Sequence, residues 1–255
     1  MSDKAISITQ HLLELRRRMT WSAIAVAVAS GVSFVFHKQI LKFLMAPAQG
    51  FAGIPEGQPI YTDLTEFLGI AMKVSLLSGL ALSTPFILFQ LVMFTAPGLS
   101  HGERRYFYTL LPVSMLAFIV GAAFGYRILF PPAVKFLLSF GNEIATPYIR
   151  IGNYANLMLS LLFWMGLVFE TPVVLFFLSR IGVVSHEFLK RQRRYAIVVA
   201  FVLGAIITPT FDPINQTFVA LPIIVLYEAG VWLARIGGRQ RRRSIEKSLE
   251  LDTKS

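Results

Sequence analysis

Long apolar runs alternate with short polar stretches along this chain. The first run covers residues 19–36, and others follow at 67–94, 106–130, 154–178, 196–208 and 218–232. The first four match the roughly 17–25 residues that a helix needs to cross a bilayer. The last two are shorter. At about 1.5 Å of rise per residue, roughly 13 residues reach only about 20 Å. The hydrocarbon core is about 30 Å thick. So short a hairpin either thins the bilayer, draws in polar neighbours, or has helix ends that extend past the apolar run. The pattern predicts an all-α, polytopic membrane protein with six transmembrane helices, of which helices five and six are short.

The polar stretches orient these spans. The segment at 37–66 is rich in Gly and Pro around 50–59, and 131–153 is a second wet loop. Residues 97–105 read PGLSHGERR, and 190–194 read KRQRR. Six spans put both termini on one side. That side carries 18 basic residues, including Arg16, Arg17, Arg18, Arg104, Arg105, Lys190 and Arg235, against 5 on the other (Lys38, Lys42, Arg127, Lys135 and Arg150). Lys73 lies near the start of the second span, where it can snorkel to the interface. Positive charge marks the cytoplasmic side. The termini and the loops at 95–105 and 180–194 are therefore expected in the cytoplasm. We expect one membrane domain over 1–236 and a disordered basic tail over 237–255. No small-residue cleavage site follows the first run, so that span is expected to be retained.

Composition narrows the function. The chain is 55% hydrophobic and 15% charged, where soluble domains carry nearer a quarter charged residues. The net charge of +10 would suit nucleic acid, but its placement beside the spans makes it a topology signal. There is no cysteine, which excludes disulfides, thiol catalysis and cysteine-bound metal. The histidines His11, His37, His101 and His186 have no metal-ligand spacing. Neither a phosphate-binding glycine motif nor a GxSxG elbow is present. We expect no enzyme, no cofactor and no metal, but binding, gating or transport.

A few polar residues stand out. Glu14 is the one acid in HLLELRRR, residues 11–18. It can pair locally with Arg17 or Arg18, at i,i+3 and i,i+4. Glu103 ends an S-x-x-E box that begins at Ser100, so it can simply cap a helix. Glu170 lies inside the fourth span and is followed by Pro172. An acid there costs about 2.5 kcal/mol or more to insert and usually faces a bundle interior or water. Proline at 172 removes a helix hydrogen bond and favours a kink. Asp212-Pro213 suits an N-cap with proline at the first helical position, and Gln216 lies one turn on. Gln90 in the second span can hydrogen-bond across helices.

Four stretches then carry a resemblance: HLLELRRRM at 11–19, APGLSHGERR at 96–105, FETPV at 169–173 and TPTFDPINQT at 208–217. In this order and spacing the chain resembles the TatC family, the largest membrane subunit of the twin-arginine protein translocase. The resemblance runs from about residue 8 to 236. It implies a cupped bundle in the bacterial cytoplasmic (inner) membrane. It also implies export of folded proteins driven by the proton-motive force, with the subunit as receptor for their twin-arginine signal peptides. Glu14 and Glu103 match the acids implied to bind the paired arginines, with Arg16 and Phe94 on the same surface. Glu170 matches a buried intramembrane glutamate. Asp212 and Gln216 match positions for contact with the single-span partner subunits TatA and TatB. Membrane lipid and further copies of the chain are the other implied partners. Two readings compete with a receptor: a proton-coupled small-solute transporter using Glu170, and a scaffold without a ligand.

Overall fold

The computed structural model describes residues 8–50, 59–95, 101–140, 149–208 and 213–252, without the side chains of 8, 9, 11, 49, 50, 95, 101–109 and 241–252. The first apolar run becomes helix α1 (Ile8–Val35). It starts well before the run and takes in all of 11–18, because Leu, Glu and Arg are good helix formers. The segment expected to be wet opens with a short amphipathic helix, α2 (His37–Met45), which buries Leu41 and Leu44. Helix α3 (Glu66–Thr95) holds Pro85 inside it. Directly before the ring, Ser83 Oγ and Thr84 Oγ1 donate to the carbonyls of Gly79 and Leu80, at 2.8 and 2.9 Å. The carbonyl that Pro85 leaves without its N–H partner is that of Ala81, one residue further on.

Helix α4 (His101–Phe124) passes through a π-helical turn (Gly125–Leu129) into α5 (Phe130–Ser139). The third span therefore continues into what the sequence suggested was loop. The fourth run is two helices, α6 (Ile151–Phe169) and α7 (Thr171–Ile181), which meet at Glu170. Ser185 caps α8 (His186–Arg191) by accepting the Phe188 N–H. Then come α9 (Arg193–Ile207) and α10 (Pro213–Asp252).

Among the described residues, five stretches are long and apolar enough to cross a membrane: Leu12–Val35, Glu66–Phe94, Leu110–Ser139, Ile151–Ile181 and Pro213–Gln240. Helix α9 has 15 residues, about 22 Å at the usual rise, and is not one of them. The expectation of a short last helix needs correction, since its apolar stretch has 28 residues. Hydropathy misses its ends because the polar turn PINQ opens the helix and Arg235 lies within its later part. The same helix runs on through the basic tail to Asp252, where we expected disorder. The tail is built of Arg, Gln, Glu, Lys and Leu, which favour helix.

Helix α1 lies mainly against α3, α4 against α6, and α10 against α7 and α9. At the α1–α3 contact, a Cβ on Gly79 would come within 2.4 Å of Ser30 Cα. Only glycine permits that approach, as is common where membrane helices cross. The core centres on α6, whose Tyr154, Met158, Leu161 and Met165 pack with Leu41, Val74 and Phe130 from three other elements.

Two loops are clasped at the far end of this core. Ile60 N donates to Ile149 O at 3.1 Å, and Ile151 N donates to Ile60 O at 2.8 Å, which makes an isolated parallel bridge. Glu66 locks it. Its Oε2 accepts from Arg150 Nη2 at 3.0 Å and from Thr62 N at 2.9 Å, and its Oε1 accepts from Gly152 N at 3.2 Å.

Candidate polar site at the helix ends

The 11–18 stretch is the second and third turn of α1. One helical turn brings Glu14 beside Arg18. Arg18 Nε and Nη2 both donate to Glu14 Oε1, at 3.0 and 2.5 Å. The local pair that spacing allowed is therefore present. Such i,i+4 pairs are worth about 0.3–0.5 kcal/mol. Arg18 does something further: its Nη1 donates to Gln90 Oε1 on α3 at 3.0 Å. A relay from Glu14 through Arg18 to Gln90 thus ties the two helix ends together. The Glu14 side chain keeps 33% of its exposure, and among the described residues its Oε2 accepts no bond. Arg16 and Arg17 are exposed.

Phe94 is half-buried, four residues beyond Gln90 and thus on the same face of α3. Glu103 falls in the first turn of α4; its side chain lies outside the described residues. Five residues, 96–100, separate the end of α3 from the start of α4. The backbone of Glu103 therefore stands at the same end of the bundle as the Glu14 relay.

Glu170 sits at the joint of α6 and α7, buried to 1% exposure. Its Oε2 accepts from Ser114 Oγ of α4 at 2.7 Å. Among the described residues its Oε1 is buried without a partner. The backbone stays helical across the break, with Val174 N donating to Glu170 O at 2.9 Å. The expected polar interior of the fourth span is present, and its partner comes from α4, 56 residues earlier.

Asp212 lies outside the described residues, while Pro213 opens α10 as its spacing predicts. Gln216 is engaged within the chain: its Nε2 donates to Phe201 O at 2.7 Å and ties α10 to α9. Sequence reading missed the Glu66–Arg150 pair altogether. An acid opening a span was its one local signal, and the cation lies 84 residues away. Among the described residues, no group of three His, Cys, Asp or Glu side chains could hold a metal ion.

Helices long enough to cross a bilayer, a buried carboxylate at a helix break and a polar relay joining helix ends define the class: a polytopic α-helical membrane protein. The family model for the Sec-independent protein translocase protein (TatC) matches residues 10–222. The chain belongs to this TatC family and is a component of a protein translocase, a transport protein. It is 40% identical to the TatC protein of Aquifex aeolicus (strain VF5), over 94% of this chain and 99% of that one. It is 35% identical to that of Carboxydothermus hydrogenoformans, over 92% and 95%. The fold is also similar to a crystal structure described as the twin-arginine translocase receptor TatC. There the TM-score is 0.77 at 41% identity, covering 89% of this chain and 99% of the other.

Proposed function

We propose that this chain is the signal-peptide receptor of a twin-arginine translocase. Glu14 and Glu103 bind the paired arginines of the signal, and Arg16 and Phe94 flank them. The observation that carries this reading is the state of Glu14. One carboxylate oxygen is held by Arg18, while the other accepts no bond among the described residues and the side chain stays a third exposed. A guanidinium seeks a carboxylate in that state, and Arg matches it better than Lys because its fork is planar. The backbone of Glu103 at the same end supports a second carboxylate there. The solved relative is itself described as a translocase receptor.

On this reading the chain crosses the inner membrane six times, with α9 as the short fifth span and both termini in the cytoplasm. The excess of basic residues beside the helix ends supports that orientation. It works in a complex with TatA and TatB and with further copies of itself, and Asp212 and Gln216 lie at the partner-facing hairpin. Export draws on the proton-motive force, in keeping with a sequence that carries no nucleotide-binding motif.

The test is photo-crosslinking of a twin-arginine signal peptide to the full chain in membranes. Glu14→Ala and Glu103→Ala should each lower the yield about tenfold or more, since a hydrogen bond to a charged group contributes about 1.5–3 kcal/mol. A peptide with two lysines in place of the arginines should crosslink poorly to the unchanged chain. Full crosslinking by both variants would sink the receptor role of these acids. If Glu170→Ala alone acts, and it stops uptake of a small solute, the proton-coupled transporter is the better reading.

A further inference from the structure

A cavity of about 490 Å³ opens between the end of α7, helix α8 and the later part of α10. Lys190, Arg235 and Arg239 line it, with His186, and Glu187 is the acid in the same wall. Arg235 and Arg239 are one turn apart, so they share a face of α10. Among the described residues, three cations against one carboxylate favour an anion. Both arginines lie beyond the 10–222 match to the family.

The walls are held in place by internal bonds. The His186 ring bonds Val231 O through Nδ1 at 3.0 Å, and Tyr227 O–H donates to Leu189 O at 2.8 Å, so α8 is fastened to α10 at two points. Ser179 Oγ donates to Ala234 O at 2.7 Å and fastens α7 to the same helix. A Cβ on Gly237 would come 2.7 Å from Phe176 O, so glycine is needed for α7 and α10 to meet under the cavity. Gly182, with φ of 83°, then ends α7 in a left-handed turn that leads the chain away.

Depth identifies the ligand. Trp232 is 63% exposed on α10, and Val183 and Phe188 are exposed beside the cavity. Tryptophan favours the membrane interface. Arg235 and Arg239 lie three and seven residues past Trp232, or about 5 and about 10 Å further along the axis. The cations therefore stand at the level of lipid headgroups, above side chains suited to acyl chains. We propose that this cavity binds the phosphate of an anionic glycerophospholipid. The apolar rim selects a lipid over free phosphate.

Native mass spectrometry of the full chain in detergent tests this, with phosphatidylglycerol, phosphatidylcholine and inorganic phosphate as probes. Phosphatidylglycerol should be retained in preference to phosphatidylcholine. Each basic residue near an anionic lipid surface contributes roughly fivefold. The triple variant Lys190→Gln, Arg235→Gln, Arg239→Gln should therefore lose phosphatidylglycerol at least about tenfold. The charge-conserving pair Arg235→Lys, Arg239→Lys should retain it, which separates lost charge from lost fold. So should Arg17→Gln, Lys38→Gln, Lys42→Gln, which removes three exposed cations elsewhere. The proposal is overturned if the two lipids bind alike, if the triple variant keeps its lipid, if the control variant loses it equally, or if inorganic phosphate displaces it.

Discussion

Arg18 answers a question that its neighbour posed. Glu14 looked like either a local ion-pair partner or a binding acid, and the arrangement lets it be both. Arg18 occupies one oxygen and anchors itself to Gln90. Arg18→Gln should therefore have two separable effects. Glu14 is left unpaired, and α1 loses its polar tie to α3. Gln90→Leu removes the tie alone. If the relay serves to aim Glu14, both variants weaken signal-peptide crosslinking, whereas a purely local pair would make Gln90→Leu silent. Glu170 invites a different comparison. Ser114→Ala leaves its one bonded oxygen without a donor, at a cost of about 1–3 kcal/mol. The loss should appear as a lower melting temperature in detergent. Glu170→Leu removes both buried oxygens and should melt higher than Ser114→Ala; an order the other way would mean that Oε1 has a partner that stabilises the fold.

The helices divide at polar or irregular points. Between α6 and α7 the break falls at Glu170, where Pro172 cannot donate a backbone bond. Between α2 and α3 the chain is held by an Asx turn. Asp63 Oδ1 accepts from Thr65 N and Thr65 Oγ1, both at 3.0 Å, and these bonds hold its carboxyl below the usual range. A depressed carboxyl stabilises the fold above the ordinary value near pH 4, and the effect is lost as pH falls through the lower, folded value. The difference in melting temperature between the chain and Asp63→Asn should therefore shrink below about pH 4. The Glu66–Arg150 clasp makes its own forecast. Glu66→Ala should speed hydrogen exchange at the amides of Ile60 and Ile151 while leaving those in the middle of α6 protected. Unchanged exchange at the bridge would show that it stands without Glu66.

Taken together, the helices form a bundle centred on α6, with the Glu14 relay at one end and the Glu66 clasp at the other. Whether α9 crosses is a matter of sidedness. A chain with no native cysteine suits single-cysteine labelling. Cysteines placed at Ser2 and Ser255 should be labelled from the same side if α9 spans, and from opposite sides if it does not.

Much of this was readable from the residues. The first four spans showed because apolar runs of that length have few other uses. Glu170 showed because an acid inside a span is costly, and Gln90 showed as a residue able to bond across helices. Helix ends were misread where a helix runs on past its apolar stretch, at the end of α10 and at 131–139, which continue the third span as α5. Hydropathy records transfer from water, whereas a helix continues wherever its backbone bonds and side-chain propensities allow. Linear order therefore specified the spans, their charge asymmetry and the residues worth watching. The partners of those residues were settled by folding: Gln90 lies 72 residues from Arg18, Ser114 lies 56 from Glu170, and Arg150 lies 84 from Glu66. Short polar side chains act over about 3 Å. Which two of them meet depends on how helices pack, and no local pattern encodes that.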